Sequence, residues 1–217
     1  MQSLTLNAIK LESNEFLRHL SQQGIPSLFG ATDGKAVGTF VEHGFRDHLQ
    51  NNYDFEIGSS AKGIDFPQLE IDLKVTSARQ PQSSCPFRSA EQKVYGLGYH
   101  LMVFVYDKQD DADSQMAFLH FVDAIFIDKS QTGDYLTTKG ILDILERGAN
   151  SEDIDGFLQE RNLPLEEIGR RQLAERIISQ PPQQGYITIS NALQWRLQYS
   201  RAITMANTVN GIEKLLS

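Results

Sequence analysis

The sequence has almost no cysteine and no long apolar run. Its single cysteine, Cys85, excludes an intramolecular disulfide in this chain of 217 residues. No apolar segment approaches the roughly 20 residues that span a bilayer, and the run at 101–106 has the length of a buried strand. The first ten residues lack the charged and then apolar pattern of a secretion signal. We therefore expect a soluble, cytoplasmic protein.

An excess of positive charge is also missing. Twenty Lys and Arg residues stand against 28 Asp and Glu residues, which gives a net charge of -8. This balance excludes binding to nucleic acid through a general basic surface. It does not exclude a nuclease, because metal-binding carboxylates count as negative until the cation arrives. The five histidines show no zinc-binding spacing and Cys85 has no histidine in a recognisable relation to it, so we expect structural roles for both residue types.

The order of apolar patterns predicts one mixed α/β domain over residues 1–217. Apolar spacing and capping residues predict helices at 13–23, 34–49, 89–95, 133–147, 154–161, 165–179 and 203–216. Alternating or continuous apolar runs predict strands at 55–58, 69–76, 101–106, 118–127 and 186–189, with a loop at 80–87. Within the domain we expect a catalytic core at about 34–128 and a C-terminal helical and recognition region at about 133–217.

Two structures fit the segment 193–200. Its alternation of apolar and polar residues predicts a strand, paired in a hairpin with the preceding strand around Ser190-Asn191. In that strand Gln194, Arg196 and Gln198 would share one face. A helix capped by Ser190 fits the same residues, and in it the three polar side chains would scatter.

The strand at 69–76 alternates strictly between apolar and polar residues. Successive side chains of a strand point to opposite faces, so its apolar members are predicted to enter the core: Leu69, Ile71, Leu73 and Val75. The polar members are predicted to line the other face: Glu70, Asp72, Lys74 and Thr76. A further acid, Asp65, precedes Asp72 by seven positions.

These residue types suit a divalent cation held beside a phosphodiester. Two carboxylates ~4 Å apart repel by about 4 kcal/mol at an effective dielectric constant of ~20, so the pair Asp65 and Asp72 is meaningful with a cation between them. Mg²⁺ prefers oxygen ligands and keeps some of its waters. Lys74 can orient the attacking water and hold the phosphate as a positive charge. Asp-x-Lys alone is a weak motif, and a solvated strand face with a surface ion pair is its alternative explanation.

Four separated elements occur here in a recognisable order. They are Lys35-x-x-Gly38-x-x-x-Glu42 on a predicted helix, then Asp65-Phe66, then an apolar strand, then Asp72-Leu-Lys74. In this order and spacing they resemble the PD-(D/E)xK nuclease superfamily, in the branch that contains the nicking enzyme MutH and its restriction-endonuclease relatives. The resemblance covers residues 34–76.

The resemblance implies a restriction-endonuclease-like fold, with a mixed β-sheet core flanked by helices, and a Mg²⁺-dependent DNA endonuclease. It implies Asp65 and Asp72 on the metal, Lys74 at the water, and Glu42 as a further ligand or water contact. An ordinary exposed helix acid is the alternative for Glu42. MutH has Glu where this chain has Asp72, and both acids occur in the superfamily. Glu70 shares the predicted polar face, but Asp72 has the required offset from Lys74.

Amide, hydroxyl and guanidinium groups are dense after the catalytic strand, and such groups contact phosphates and base edges. The residues expected to contact DNA are Arg79, Gln80, Gln82, Ser83, Ser84, Arg88, Gln92, Lys93 and Arg196. An ordinary polar surface loop is the alternative for the segment before Arg88. The basic residues of the helix at 165–179, Arg170, Arg171 and Arg176, are better explained by pairing with nearby glutamates.

We therefore interpret the chain as a type II restriction endonuclease that hydrolyses double-stranded DNA with Mg²⁺ beside a partner methyltransferase. Restriction is favoured over repair because the loop and the C-terminal region do not resemble MutH. A strand-nicking repair endonuclease and a non-catalytic DNA-binding protein on the same fold are the alternatives. The sequence leaves open whether the chain acts as a monomer or a homodimer.

Overall fold

The computed structural model describes residues 2–58, 63–85, 88–190 and 195–216. The chain forms two compact units, the first made of Met1–Ser83, His100–Ile127 and Met205–Ser217, the second of Ser84–Tyr99 and Asp128–Thr204. Residues before 34 and after 204 thus belong with the strand predicted at 69–76, and residues 84–99 belong with the C-terminal helices. The single-domain organisation stays a prediction.

Helices and strands are interspersed along the chain, with runs of one type between them. The first half contains β1 (Gln2–Ser3), α1 (Leu6–Leu20), α2 (Gly34–Gln50), β2 (Tyr53–Asp54), β3 (Ile71–Ser77), β4 (Gln82–Cys85), α3 (Gln92–Tyr95) and β5 (His100–Asp111). The second half contains β6 (Met116–Ile127), α4 (Tyr135–Glu146), α5 (Ser151–Glu160), α6 (Glu167–Ser179), β7 (Thr188–Ile189), β8 (Trp195–Gln198), α7 (Ser200–Met205) and β9 (Ile212–Lys214). The prediction of a mixed α/β fold is confirmed.

A four-stranded mixed sheet is the centre of the first unit. Its strand order is β3-β5-β6-β9, with β3 parallel to β5 and the other two pairs antiparallel. The strands predicted at 101–106 and 118–127 are confirmed and form the long pair β5 and β6. β3 is an edge strand of this sheet, since it has a neighbour only in β5.

Helix α2 packs on this sheet through an apolar face. Asp33 caps its first turn by accepting a hydrogen bond from the Lys35 amide at 2.9 Å. The buried face is spaced at three and four residues: Val37, Val41, Phe45 and Leu49. The Phe45 ring meets the Phe66 and Phe104 rings edge-on, at centroid distances of 6.1 and 5.4 Å. The helix predicted at 34–49 is confirmed.

Helix α1 begins earlier than predicted. Thr5 caps it by accepting a hydrogen bond from the Ala8 amide, whereas Ser13, the predicted cap, lies inside the helix and donates to the Lys10 carbonyl. The predicted start was wrong because a serine hydroxyl that bonds the preceding turn fits a helix interior as well as a cap.

The second unit is mainly helical. The predictions of α4, α5 and α6 are confirmed, and with α3 they enclose a separate apolar cluster that includes Ile141, Ile154, Leu158, Leu173 and Ile177. The predicted pairing of 186–189 with the following segment is confirmed, since β7 and β8 are antiparallel. β4 borders β8 on its other side. The predicted turn at Ser190-Asn191 reaches into 191–194, outside the described residues.

Four local predictions were wrong in bounds or type. The predicted strand at 55–58 is replaced by β2 at 53–54, and part of the predicted loop at 80–87 forms β4. The helix at 89–95 shortens to α3, because the Ser89 hydroxyl accepts from the Glu91 amide and does not close a capping box. The predicted helix at 203–216 is wrong, because α7 ends at Met205, left-handed residues follow at Asn207 (φ 63°) and Gly211 (φ +87°), and the chain then enters β9. Within the described residues, no helix has the length and apolarity to cross a membrane.

Candidate active site

A tight reversal of the chain brings Asp65 beside β3. Pro67 starts a single 3-10 turn that ends at Leu69, and Glu70 follows in the left-handed region at φ 52°. The turn is closed by two backbone hydrogen bonds between Phe66 and Ile71, at 2.9 and 3.2 Å. Asp65, one residue before this bridge, therefore reaches the strand and accepts a hydrogen bond from the Leu73 amide at Oδ2, 2.9 Å away.

This turn corrects the predicted start of the catalytic strand. Leu69 belongs to the 3-10 turn and Glu70 to its left-handed end, so β3 begins at Ile71. The prediction that Glu70 lies on the strand's polar face was wrong, and Glu70 is exposed. The cause is Pro67, whose fixed φ starts a turn where the alternating pattern alone predicted extended chain.

The strand β3 presents Asp72 and Lys74 on the same side. Lys74 Nζ lies 2.8 Å from Asp72 Oδ2, and only 4% of the Asp72 residue is exposed. The predicted inward direction of Ile71 and Leu73 is confirmed. The alternative explanation of Asp-x-Lys, a solvated strand face with a surface ion pair, does not hold, since Asp72 and Thr76 are both buried.

Burial and neighbouring charges set the protonation of this cluster. Burial, opposed by the Lys74 charge and assisted by Asp65, raises the pKa of Asp72 to about 7. Burial would lower the pKa of Lys74, but Asp72, Asp65 and Glu42 outweigh it and raise that pKa. Lys74 is therefore a cation at neutral pH. Burial, and then the Asp65 charge, raises the pKa of Glu42.

Helix α2 contributes Glu42 and Arg46, which lie four residues apart and so face the same side. Arg46 Nη2 donates to Asp65 Oδ1 at 2.8 Å. Glu42 is half-buried and within electrostatic range of Asp65 and Lys74. Sequence reasoning missed Arg46. Its spacing from Glu42 was visible, but the turn that carries Asp65 to it was not.

The donor chemistry fits a divalent oxygen-seeking cation. Asp65 lies close enough to Asp72 to raise its pKa, and a hydrated Mg²⁺ needs only one or two protein carboxylates. Among the described residues, no three His, Cys, Asp or Glu side chains come close enough together to hold a metal ion. Metal-ligand roles for Asp65, Asp72 and Glu42 stay predictions.

Most residues expected to contact DNA are accessible. Arg79, Gln80, Ser84, Arg88 and Arg196 are exposed, and Gln82 and Ser83 are half-buried. On β8, Arg196 and Gln198 face outward while Leu197 between them is buried, which is the arrangement of the strand alternative. Gln194, expected on the same face, lies outside the described residues.

Two expected DNA contacts lie in the interior of the second unit. Gln92 and Lys93 are 9% and 3% exposed, and the Gln92 amide donates to the Leu97 carbonyl at 3.2 Å. Burial lowers the pKa of Lys93, although the Asp134 charge opposes this. We leave both residues out of the proposed DNA surface. They were misassigned because the short helix α3 turns them inward, which their polarity did not indicate.

The arginines of α6 are paired, as the sequence indicated, though mostly with other acids than the neighbouring glutamates. Arg171 pairs with Glu167 at 2.7 Å, Arg170 with Asp155 at 2.7 Å, and Arg176 with Glu91 at 2.7 Å. These contacts, all within the second unit, account for the basic residues of α6.

Comparison with known proteins gives the family. The model of the type II restriction enzyme NspV family matches residues 3–214. The chain is also 49% identical over 212 residues to the type II restriction enzyme NspV of Nostoc sp., a match covering 98% of this chain and 96% of that enzyme. This chain belongs to the NspV family. The prediction of a type II restriction enzyme is thereby confirmed. No solved structure matches it significantly.

Proposed function

We propose that this member of the NspV family is an endonuclease of the PD-(D/E)xK type, which hydrolyses phosphodiester bonds in double-stranded DNA with Mg²⁺ held by Asp65 and Asp72. The observation that carries the proposal is the convergence of Asp65, Asp72 and Lys74 at one side of β3. Asp65 comes from the segment before the turn at Pro67 and Glu70, and Asp72 and Lys74 come from β3 after it. Their order along the chain is the one that the resemblance implies.

Each residue has a distinct part in this proposal. A bound Mg²⁺ supplies charge neutralisation at the phosphate and a more acidic water. Asp65 and Asp72 hold oxygen ligands in fixed positions, because the Leu73 amide orients one and the Lys74 ammonium orients the other. Lys74, protonated at neutral pH, donates to the attacking water or to a phosphate oxygen. Glu42 holds a further water at the edge of the site.

The accessible polar residues provide the DNA contacts in this proposal. The segment after β3 contains Arg79, Gln80, Gln82, Ser83 and Ser84. We propose that these residues contact the DNA near the scissile bond. Arg88 would add a phosphate contact. Arg196 and Gln198, side by side on the outer face of β8, have the donor and acceptor groups that read guanine and adenine in the major groove.

The test is cleavage of unmethylated phage DNA by the purified chain in Mg²⁺, with Ca²⁺ and EDTA as controls. We expect discrete bands in Mg²⁺ alone, and none from Asp72→Asn. Asp155→Asn removes a comparable ion-paired carboxylate from the second unit and should leave the bands unchanged. Cleavage by Asp72→Asn at the wild-type rate would overturn the assignment of the site. Nicked plasmid without linear product would favour the strand-nicking alternative.

A restriction enzyme also requires a means of protecting host DNA. We propose a cytoplasmic partner methyltransferase that modifies the same site, so DNA methylated by it should resist cleavage. The mass of the free protein in sedimentation equilibrium would distinguish a monomer from a homodimer.

A further inference from the structure

Arg46 is bound to one of the two carboxylates proposed to hold the metal. Its Nη2 lies 2.8 Å from Asp65 Oδ1, and the two side chains are 23% and 18% exposed. The guanidinium reaches this position from α2, one helical turn beyond Glu42. No part of the proposed hydrolysis uses it.

The charges of the cluster show why a cation is needed at this position. Three carboxylates, Glu42, Asp65 and Asp72, lie within electrostatic range of one another or of Lys74. Lys74 is engaged with Asp72 at 2.8 Å. The positive charge in contact with Asp65 is therefore that of Arg46, and without it the three acids would face a single ammonium group.

We propose that Arg46 is a built-in counter-ion of the site, which neutralises Asp65 when no divalent cation is bound and competes with that cation for the carboxylate. The inference rests on the proposed function, in which Asp65 and Asp72 are the metal ligands. It adds a residue that sets how tightly the free protein binds metal.

Competition is expected to outweigh any help that Arg46 gives by orienting Asp65. The Leu73 amide holds Asp65 Oδ2 at 2.9 Å and would still do so without the guanidinium. The orientation of Asp65 therefore has a second, independent support. The Arg46 guanidinium and a divalent cation bound to the same carboxylate repel each other. This repulsion disappears when the Arg46 charge is removed. Removing the Arg46 charge should therefore lower the thermal stability of the metal-free protein and raise its affinity for the metal.

The experiment compares the full-length wild type with Arg46→Met, Arg46→Gln and Arg46→Lys, without DNA. Two quantities are measured: the melting temperature in EDTA, and the affinity for Mn²⁺ alone by calorimetry. We expect Arg46→Met to melt about 3–6 °C lower in EDTA and to bind Mn²⁺ about three- to tenfold more tightly. Arg46→Gln keeps a hydrogen-bond donor without the charge and should also bind more tightly. Arg46→Lys should stay close to the wild type.

Arg170→Met is the matched control. Arg170 lies 2.7 Å from Asp155 in the second unit, with side chains 14% and 19% exposed, so the control removes a comparable ion pair from outside the site. It should lower the melting temperature and leave the Mn²⁺ affinity unchanged.

Mn²⁺ binding by the Met and Gln variants that is not tighter than wild type would overturn the inference. Weaker binding would mean that Arg46 orients Asp65 for the metal, and unchanged binding would mean that the Arg46–Asp65 ion pair is only structural. If Arg46→Met does not fold, Arg46→Gln decides between these results. Absence of Mn²⁺ binding by the wild type would instead contradict the proposed metal site itself, which separates failure of that proposal from failure of this one.

Discussion

Lys74 Nζ lies 2.8 Å from Asp72 Oδ2, and the two residues occupy alternate positions of the single strand β3. The strand's pleat places both side chains on one side, and the parallel partner β5 fixes the strand along its length. The relative position of acid and ammonium is therefore determined by seven residues of regular structure, independently of any loop.

This pairing predicts that Lys74→Met abolishes cleavage without abolishing metal binding. Loss of a positioned cation at the reacting phosphate costs about 10²–10⁴-fold in rate. Single-turnover cleavage of phage DNA in Mg²⁺ measures the loss, and Mn²⁺ calorimetry measures the retained site. Lys139→Met is the control, because Lys139 forms a 2.8 Å ion pair with Asp143 on an exposed helix face. Wild-type cleavage by Lys74→Met would remove Lys74 from the mechanism.

Asp72→Asn is predicted to stabilise the metal-free protein while abolishing cleavage. Burial raises the pKa of Asp72 to about 7, so ionising it at higher pH costs folding free energy. Lys74 is not left unpaired, since Glu42 and Asp65 remain near it. We expect a gain of about 1–2 kcal/mol at pH 8 in EDTA, or about 2–8 °C in melting temperature.

The sign of the pH dependence follows from the same shift. Between the ordinary pKa of 3.8 and about 7, the folded wild type holds a proton on Asp72 that the unfolded chain has lost, so its stability falls as the pH rises through this range. The variant has no such proton. The difference in melting temperature should therefore be larger at pH 8 than at pH 5. A difference that is equal at both pH values, or larger at pH 5, would contradict this account.

The stretch of sequence that carries the site was largely predictable, and its closing turn was not. The spacing of apolar residues alone predicted α2 and the core-facing side of β3, because apolar residues recur where the chain is buried. The contact of Arg46 with Asp65 depends on the reversal at Pro67 and Glu70, whose left-handed φ no side-chain pattern encodes. The burial of Gln92 and Lys93 was missed for a related reason. The polarity of these side chains does not indicate which face of the four-residue helix α3 packs against the interior.

Phe45→Ala is predicted to destabilise the first unit strongly. Phe45 is fully buried on α2 between Glu42 and Arg46, and its ring contacts Phe66 and Phe104. Deleting a buried aromatic ring costs about 3–5 kcal/mol, which should appear as a lower urea midpoint with an unchanged m-value. Leu11→Ala, at an exposed position of α1, should change the midpoint little. A change below about 1 kcal/mol for Phe45→Ala would mean that α2 is not anchored by this ring.

Arg196→Ala is predicted to reduce discrimination between DNA sequences. Arg196 and Gln198 project from the same face of β8, and a bidentate contact of arginine with guanine contributes about 1–3 kcal/mol of specificity. Binding is measured in Ca²⁺, to the site mapped from wild-type cleavage and to a duplex with one base pair changed. We expect the ratio of the two affinities to fall about tenfold or more, with little change in salt dependence. Arg171→Ala, which removes an exposed arginine paired with Glu167, should leave the ratio unchanged. Equal weakening on both duplexes, with a shallower salt dependence, would assign Arg196 to a phosphate instead of a base.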